Sequence, residues 1–357
     1  MSDTTQTMAA SHAVSRLPGG APDLHHATVI GPAPAVWPGF GPRLCIAGAL
    51  LVGAAFVATV ALPLATYTTV LALFGFAHVA SELRYVDHRF GARLGGGLFG
   101  TLSAILGIAV VVRLSGTLGW LPVALALGVE IALGAVLVGV TFLYMRRHRW
   151  VAVTAACALA AGAVLAPFEA LLCFAVTHNL TPLAFLAEAL RGAQRRRVLA
   201  VAATGFVALP LLIATGMPFA ALAALGLVAP EATLFSAGDL TKNLGAYVPA
   251  WALHSDWALH AFSASVFAQC MHYVAVIGVL PRLIDGRSRP RLAWPEAARF
   301  RRYLAIGAAA LAVGFALDYG VQRQAYALAA LVHAWLELPI FALALGGMRP
   351  AQARPSA

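Results

Sequence analysis

The chain has 357 residues, of which 61% are hydrophobic and 11% are charged, whereas a soluble domain has about 45–50% apolar and about 25% charged residues. These proportions exclude an ordinary soluble domain and indicate one integral membrane domain that crosses the bilayer many times. The formal net charge of +10 lies in short basic clusters between apolar runs, as the positive-inside rule describes, so it argues against nucleic-acid binding.

Three segments are predicted in chain order. Residues 1–42 are rich in Ser, Thr, Ala, Pro and Gly, contain no apolar run, and are predicted to be a disordered cytoplasmic tail. Residues 43–348 are predicted to form a transmembrane helical domain, and residues 349–357 a short cytoplasmic tail. Because residues 1–42 lack the basic start and apolar core of a signal peptide, the first span is expected to act as an uncleaved insertion signal.

Eleven apolar runs are candidate spans. They cover residues 44–62, 66–84, 95–112, 118–145, 151–166, 168–189, 198–216, 217–230, 257–280, 303–318 and 325–346. With eleven spans, the arginine-rich loop after residue 281 would lie across the membrane from the clusters at 146–149 and 191–197. The run 217–230 is too short to span, and treating it as a re-entrant or interfacial helix removes this conflict. The prediction is an all-α bundle of ten spans, with both termini and every arginine cluster in the cytoplasm and a long outer segment at 217–256.

Four histidines lie inside predicted spans, where ionisable groups are costly and usually functional. They are His78, His178, His272 and His333. In the ten-span topology their helices all run in the same direction, so the four side chains are expected at similar depth. A lone histidine in a span more often bonds to a neighbouring helix. Four together favour a metal site, and a proton or cation relay is the remaining alternative.

Two of these histidines are followed by a glutamate four residues later, as His78 by Glu82 and His333 by Glu337. This spacing places both side chains on one helix face, one turn apart. Helical bundles that hold iron with carboxylates also use inward-facing Glu and His. Imidazole suits iron, zinc and copper, and carboxylate oxygens add a preference for iron or manganese. We therefore predict a metal site of the four histidines, Glu82 and Glu337, with iron as Fe²⁺ and with manganese, zinc, copper or non-covalent haem as alternatives.

Three further residues are predicted to contact the ligands rather than the metal. Gln269 shares a helix face with His272, and Tyr273 adjoins it. Asn179, with Pro182 shortly after it, predicts a local break in the sixth span that frees a backbone carbonyl beside His178.

Glu130, in the middle of the fourth span, has two open interpretations. It is either a further ligand or a residue that orients an imidazole, or it forms a structural ion pair with Arg113. The sequence favours neither.

The arrangement resembles the Brp/Blh family of membrane β-carotene dioxygenases, polytopic proteins with intramembrane histidines proposed to hold iron. The resemblance rests on His78 with Glu82, on the run from Cys173 to His178, and on His333 with Glu337. It implies a histidine-bound metal that acts on a lipid-soluble substrate. The family's middle motif has two histidines four residues apart, where this chain has Pro182 after His178, and its early Gly-x-Pro-His-Gly motif has no counterpart here. The resemblance therefore does not extend to carotene itself.

Two functions from different classes follow. The first is a membrane-bound, iron-dependent oxidoreductase or oxygenase that attacks or cleaves a lipophilic molecule entering from the bilayer. The second is a proton- or metal-ion-coupled transporter that uses the same histidines and glutamates. No nucleotide-binding loop, nucleophile elbow or CxxCH motif occurs, which argues against ATP-driven pumping, acyl hydrolysis and c-type haem.

Overall fold

The computed structural model describes residues 41–284 and 290–346, and the following statements refer to that part of the chain. Its regular structure is helical, without a strand. Residues 1–40 of the predicted N-terminal tail and all of the predicted tail at 349–357 lie outside the described residues.

The first half of the chain forms helices separated by short turns. They are α1 (Pro42–Ala61), α2 (Pro63–Phe90), α3 (Gly95–Thr117), α4 (Val123–Tyr144), α5 (Arg149–Leu165), α6 (Pro167–His178) and α7 (Thr181–Ala189). Several have a proline in their first turn, which suits that position because the N–H that proline lacks has no intrahelical partner there.

The second half contains longer connections. Its helices are α8 (Gly192–Ala203), α9 (Leu209–Ala214), α10 (Met217–Ala224), α11 (Leu240–Leu244), α12 (Ala258–Tyr273), α13 (Ala297–Leu317) and α14 (Tyr319–Gly346). A π-helical turn at Thr204–Ala208 joins α8 to α9. A second π-helical turn, at Val274–Val279, extends α12 toward Leu283.

The chain is a multi-pass membrane protein. Among the described residues, 8 helical segments are long and apolar enough to cross a membrane, or 9 if α6 and α7, bent by 43° at their junction, form one span. Helix α5, with 17 residues, is at the lower limit of about 17–25 residues for a spanning helix. Together these segments match the ten predicted spans. Helix α10 has only 8 residues and is too short to cross, as predicted for the run 217–230.

Two apolar clusters pack along α2 and α12 and leave a polar layer between them. In one cluster, Leu64 and Leu71 of α2 pack with residues of α12 such as Phe262. In the other, the end of α2 and the extension of α12 pack with α3, α4 and α14. Helix α2 also packs against α13 and α14. The layer between the clusters contains the polar residues His78, Glu82 and His272, all buried.

The end of α2, beyond this polar layer, differs from what the sequence suggests. The polar residues Tyr85, Asp87 and His88 at the end of the second predicted span suggest a solvated cytoplasmic edge, but Tyr85 and Asp87 are buried and His88 is half-buried. Asp87 accepts hydrogen bonds from the backbone of Arg291 and from the indole of Trp294. These partners come from about 200 residues later in the chain, so the local sequence gives no sign of them.

Candidate metal centre

The four predicted histidines meet at one point in the bundle. His78 is on α2, His178 ends α6, His272 is near the end of α12, and His333 is in the middle of α14. One ring nitrogen from each lies within 4.8 Å of the others. Three of the four are buried and the His178 side chain is 12% exposed. The convergence expected from the sequence is therefore confirmed.

The Nε2 atom of His333 is the centre of this cluster. It lies 3.1 Å from Nε2 of His78 and 3.1 Å from Nε2 of His178. A neutral imidazole has one N–H and one lone pair, so three nitrogens facing one another cannot all be protonated. Lone pairs from different helices are therefore directed into the same small space.

These separations fit a shared metal ion. Two nitrogens at about 2.1 Å from one ion are about 3.0 Å apart at a right angle, about 3.4 Å apart in a tetrahedron and about 4.2 Å apart when opposed. The 3.1 Å contacts lie within this range. The limit of 4.8 Å for all four nitrogens exceeds the largest spacing by about half an ångström. The widest separation would therefore have to shorten by about half an ångström or more for all four nitrogens to bind a single ion.

A carboxylate holds the outer nitrogen of His178. Oε2 of Glu337 accepts a hydrogen bond from Nδ1 of His178 at 2.7 Å. The Thr181 hydroxyl, at the start of α7, lies 3.1 Å from the other carboxylate oxygen and 2.8 Å from the backbone oxygen of His178. With the proton of His178 on Nδ1, its Nε2 presents a lone pair to the cluster. Metal-binding histidines are commonly oriented by a carboxylate in this way.

Glu82 lies at the inner side of the cluster and has a different role. Its Oε2 is 3.3 Å from Nε2 of His272 and 4.0 Å from Nε2 of His333. The residue is fully buried and neither carboxylate oxygen has a well-aligned hydrogen bond among the described residues. A buried carboxylate without donors requires a cation or a proton. This orphaned carboxylate beside four imidazoles is the feature that best fits a metal ion.

The two His-x3-Glu motifs do not act as local pairs. Glu82 is nearest to His272 rather than to its helix neighbour His78, and Glu337 binds His178 rather than His333. Each glutamate thus connects its own helix to a histidine of another helix. The position of Glu82 is consistent with its predicted role as a metal ligand. Glu337 instead contacts the outer nitrogen of His178 and orients that ring.

His78 packs against a hydrogen-bonded network of tyrosine and glutamine side chains. The ring of Tyr273 stacks on His78, with centroids 4.1 Å apart. Its hydroxyl accepts a hydrogen bond from Nε2 of Gln269 at 2.8 Å and lies 3.2 Å from the hydroxyl of Tyr326. Tyr247 donates to the oxygen of Gln269, and burial raises the pKa of the Tyr247 phenol. Gln269 and Tyr273 therefore adjoin the cluster, as predicted.

Glu130 is held in an ion pair. Both of its oxygens accept from Arg113, at 2.6 and 2.7 Å, and the indole of Trp335 donates to one of them at 2.9 Å. The structural pairing with Arg113, one of two interpretations left open by the sequence, is thus present. Its link to the site is indirect and runs through Trp335, two residues after His333.

Asn179 marks the predicted break. Helix α6 ends at His178 and α7 begins at Thr181 with Pro182 in its first turn. Asn179 is buried there, and the ring of His272 lies against that of His178, with centroids 4.7 Å apart. The interruption therefore brings the end of one half-helix, with its backbone, against the cluster.

A cavity gives the cluster an open side. Its volume is about 360 Å³, within the range of about 300–1,000 Å³ of small-molecule sites. His78, His178 and His333 line it, whereas His272 is not part of its wall. The other lining residues are mainly apolar and aromatic, among them Tyr67, Leu71, Phe168, Phe174, Tyr247, Tyr326 and Trp335. A ligand in this cavity would lie directly against three of the four imidazoles.

Four residues near the site were not singled out in the sequence. Thr181 and Tyr326 occupy helix positions where a hydroxyl has no distinctive pattern, and Tyr247 comes from the segment between α11 and α12. Arg323 lies on the cavity wall. A polar residue on the same face of α14 as His333 was the only signal for Tyr326 and Arg323.

No protein-family model, curated protein or solved structure matches this chain.

Proposed function

We propose that the chain is a membrane metalloenzyme that binds iron with His78, His178, His272 and His333 and oxidises or oxidatively cleaves a lipophilic substrate. The supporting observation is the meeting of three Nε2 atoms at 3.1 Å contacts beside the orphaned carboxylate of Glu82. The donor set of imidazoles with one carboxylate suits iron. This chemistry is also what the resemblance to the Brp/Blh family implies, and the identity of the substrate is not part of the proposal.

The residues of the chain have distinct tasks in this proposal. The four histidines bind the metal, Glu82 offsets its positive charge, and Glu337 keeps the proton of His178 on Nδ1. When bound, iron supplies redox chemistry with O₂. The apolar walls of the cavity hold the substrate against the open side of the cluster and exclude water. Tyr273, stacked on His78, keeps that ring in position.

Metal analysis of detergent-purified protein tests the site. The protein carries an affinity tag without histidine, so that the resin does not load it with metal. We expect about one iron per chain, its loss in His333→Ala, and full retention in His254→Ala, which changes an exposed histidine outside the cluster. Equal metal content in the two variants would refute the site. A haem absorption spectrum would show that the histidines bind haem rather than a free iron ion.

Oxygen consumption tests the reaction. Iron-loaded protein in lipid vesicles is supplied with O₂ and a lipophilic polyene, and products are separated by mass. We expect oxygen uptake and oxygen-containing products that disappear in His333→Ala. A retained metal with no oxygen uptake on any lipophilic substrate would contradict the oxidative function while leaving the metal site.

The broken helix at His178 favours a second function, a metal-ion or proton-coupled transporter. Transporters place substrate sites at discontinuous helices, and the 43° bend between α6 and α7 lies at a residue of the cluster. Metal uptake into sealed vesicles, abolished by His333→Ala, would support transport. Retention of tightly bound metal without uptake would support the enzyme.

A further inference from the structure

Two arginines line the cavity, and they differ in how their charge is balanced. Arg113 donates to both oxygens of Glu130. Arg323 has no carboxylate within ion-pair distance among the described residues. The carboxylate of Asp318, five residues earlier, accepts from the backbone N–H of Val321. The wall of the cavity therefore carries one uncompensated positive charge.

The surroundings of Arg323 are aromatic. Its guanidinium carbon lies 5.7 Å from the centroid of the Tyr67 ring, and Tyr247 and Tyr326 line the same cavity. Arg323 is half-buried. A guanidinium in a partly dry, aromatic site is poorly hydrated and gains from an anion with planar oxygens, which it binds through two parallel hydrogen bonds.

The positions of Arg323 and His333 on α14 set the distance between this charge and the histidines. They are ten residues apart, which corresponds to about 15 Å along the helix axis. Ala327, Ala330 and Ala334 lie between or beside them and also line the cavity. Spacings of three and four residues place these small side chains on one face of the helix. The face thus forms a shallow apolar groove with a cation at one end and the histidine cluster at the other.

We propose that the cavity binds a single-chain amphiphile whose carboxylate pairs with Arg323 and whose apolar chain extends along α14 to the histidines. The inference rests on the proposed function in assigning the cavity to the substrate, and it narrows that substrate to a lipophilic acid. A volume of about 360 Å³ suits a ligand with one apolar chain. By binding the carboxylate, Arg323 then determines which carbon atom of the ligand's apolar chain lies next to the histidine cluster.

Tryptophan fluorescence of metal-free protein tests this binding. Trp335 lines the cavity near the histidines, so a bromine at the methyl end of a bound chain would quench it. The probes are hexadecanoic acid and hexadecanol, each brominated at the methyl end. We expect the acid to bind at least about tenfold more tightly than the alcohol, because a charge-assisted hydrogen bond to Arg323 is lost with the alcohol.

Variants assign the effect to Arg323. Arg323→Gln should weaken acid binding at least about tenfold and leave alcohol binding unchanged. Arg302→Gln, which changes an exposed arginine outside the cavity, should alter neither. Trp335→Phe should abolish the ligand-dependent quenching, since no other tryptophan among residues 41–284 and 290–346 lines the cavity. If Arg323→Gln does not fold, the acid-to-alcohol ratio of the wild-type protein still decides the question.

Three results would overturn the proposal. They are equal binding of acid and alcohol, unchanged acid affinity in Arg323→Gln, and quenching that persists in Trp335→Phe because the acid lies on the outer surface among lipids. The proposed function fails separately. If the protein as purified contains no metal and the acid binds, only the metalloenzyme is refuted. If the purified protein contains metal and shows no preference for the acid, only the anchoring by Arg323 is refuted.

Discussion

Replacement of Glu337 separates its charge from its hydrogen bond to His178. In Glu337→Gln, the amide oxygen can still accept from Nδ1 of His178. The amide NH₂ then faces the Thr181 hydroxyl, which lies 3.1 Å from the other carboxylate oxygen in the wild-type protein. This hydroxyl can accept from the amide and continue to donate to the backbone oxygen of His178. The Gln variant therefore keeps the orientation of His178 and loses only the negative charge, whereas Glu337→Leu loses both.

The magnitudes follow from the two kinds of hydrogen bond. A hydrogen bond to a charged group contributes about 1.5–3 kcal/mol and a neutral one about 0.5–1.5 kcal/mol. The loss of charge therefore costs about 1–1.5 kcal/mol, which is about tenfold in metal affinity. In Glu337→Leu the ring of His178 is no longer held, and the loss should approach the upper end of the range of about 10–100-fold for residues that orient a ligand.

Competition with a fluorescent chelator in detergent measures these affinities. Circular dichroism and thermal unfolding of the metal-free proteins establish that each variant is folded. Glu296→Gln, which changes an exposed glutamate at the start of α13, is the matched control and should bind as the wild-type protein does. Wild-type affinity in Glu337→Leu would refute a contribution of Glu337 to the site. Equal losses of metal affinity in Glu337→Gln and Glu337→Leu would show that the hydrogen bond to His178 makes no contribution separate from that of the charge.

Three further predictions concern the remaining acidic residues and the topology. Glu82→Gln should lose more metal than Glu337→Gln, because Glu82 is 3.3 Å from Nε2 of His272 and lies on the inner side of the cluster. Elemental analysis of the folded variants measures their metal content. A smaller loss in Glu82→Gln than in Glu337→Gln would contradict the inner position of Glu82. Glu130→Ala should lower the free energy of unfolding by about 2–3 kcal/mol, since Arg113 is 23% exposed and loses two charged hydrogen bonds. The metal content per folded chain should stay constant. A loss of metal in this variant would show that Glu130 contributes to metal binding. Reporter fusions should place both termini and the loop between α12 and α13 in the cytoplasm, and an external loop would contradict the ten-span topology.

The sequence predicted the helices and the four histidines because both depend on local information. Apolar runs identify spans, and four histidines within spans favour a shared site over separate structural roles. The break at residues 179–180 was likewise predictable, since Asn179 and Pro182 disfavour a continuous helix there. The short α10 was identified by its length and by the distribution of arginines around it.

The pairing of residues across helices was not predictable. The spacing of His78 and Glu82 shows that they share a helix face, but it carries no information on which neighbouring helix that face meets. The spacing thus gave no indication that the ring nitrogen nearest to Glu82 would belong to His272. The same limit applies to Arg323. Its importance depends on the absence of a nearby carboxylate in the folded bundle, which is a property of the packing of several helices.

The central position of His333 has a consequence for biosynthesis. Helix α14 is the last described helix of the chain, and its His333 contacts both His78 and His178, which come from much earlier helices. Because a chain enters the membrane from its N-terminus onward, His78 and His178 lack their contacts with His333 until α14 arrives. Truncation before α14 would thus leave polar groups exposed within the membrane, where they are open to quality control. The cluster is therefore complete only after α14 has packed against the earlier helices.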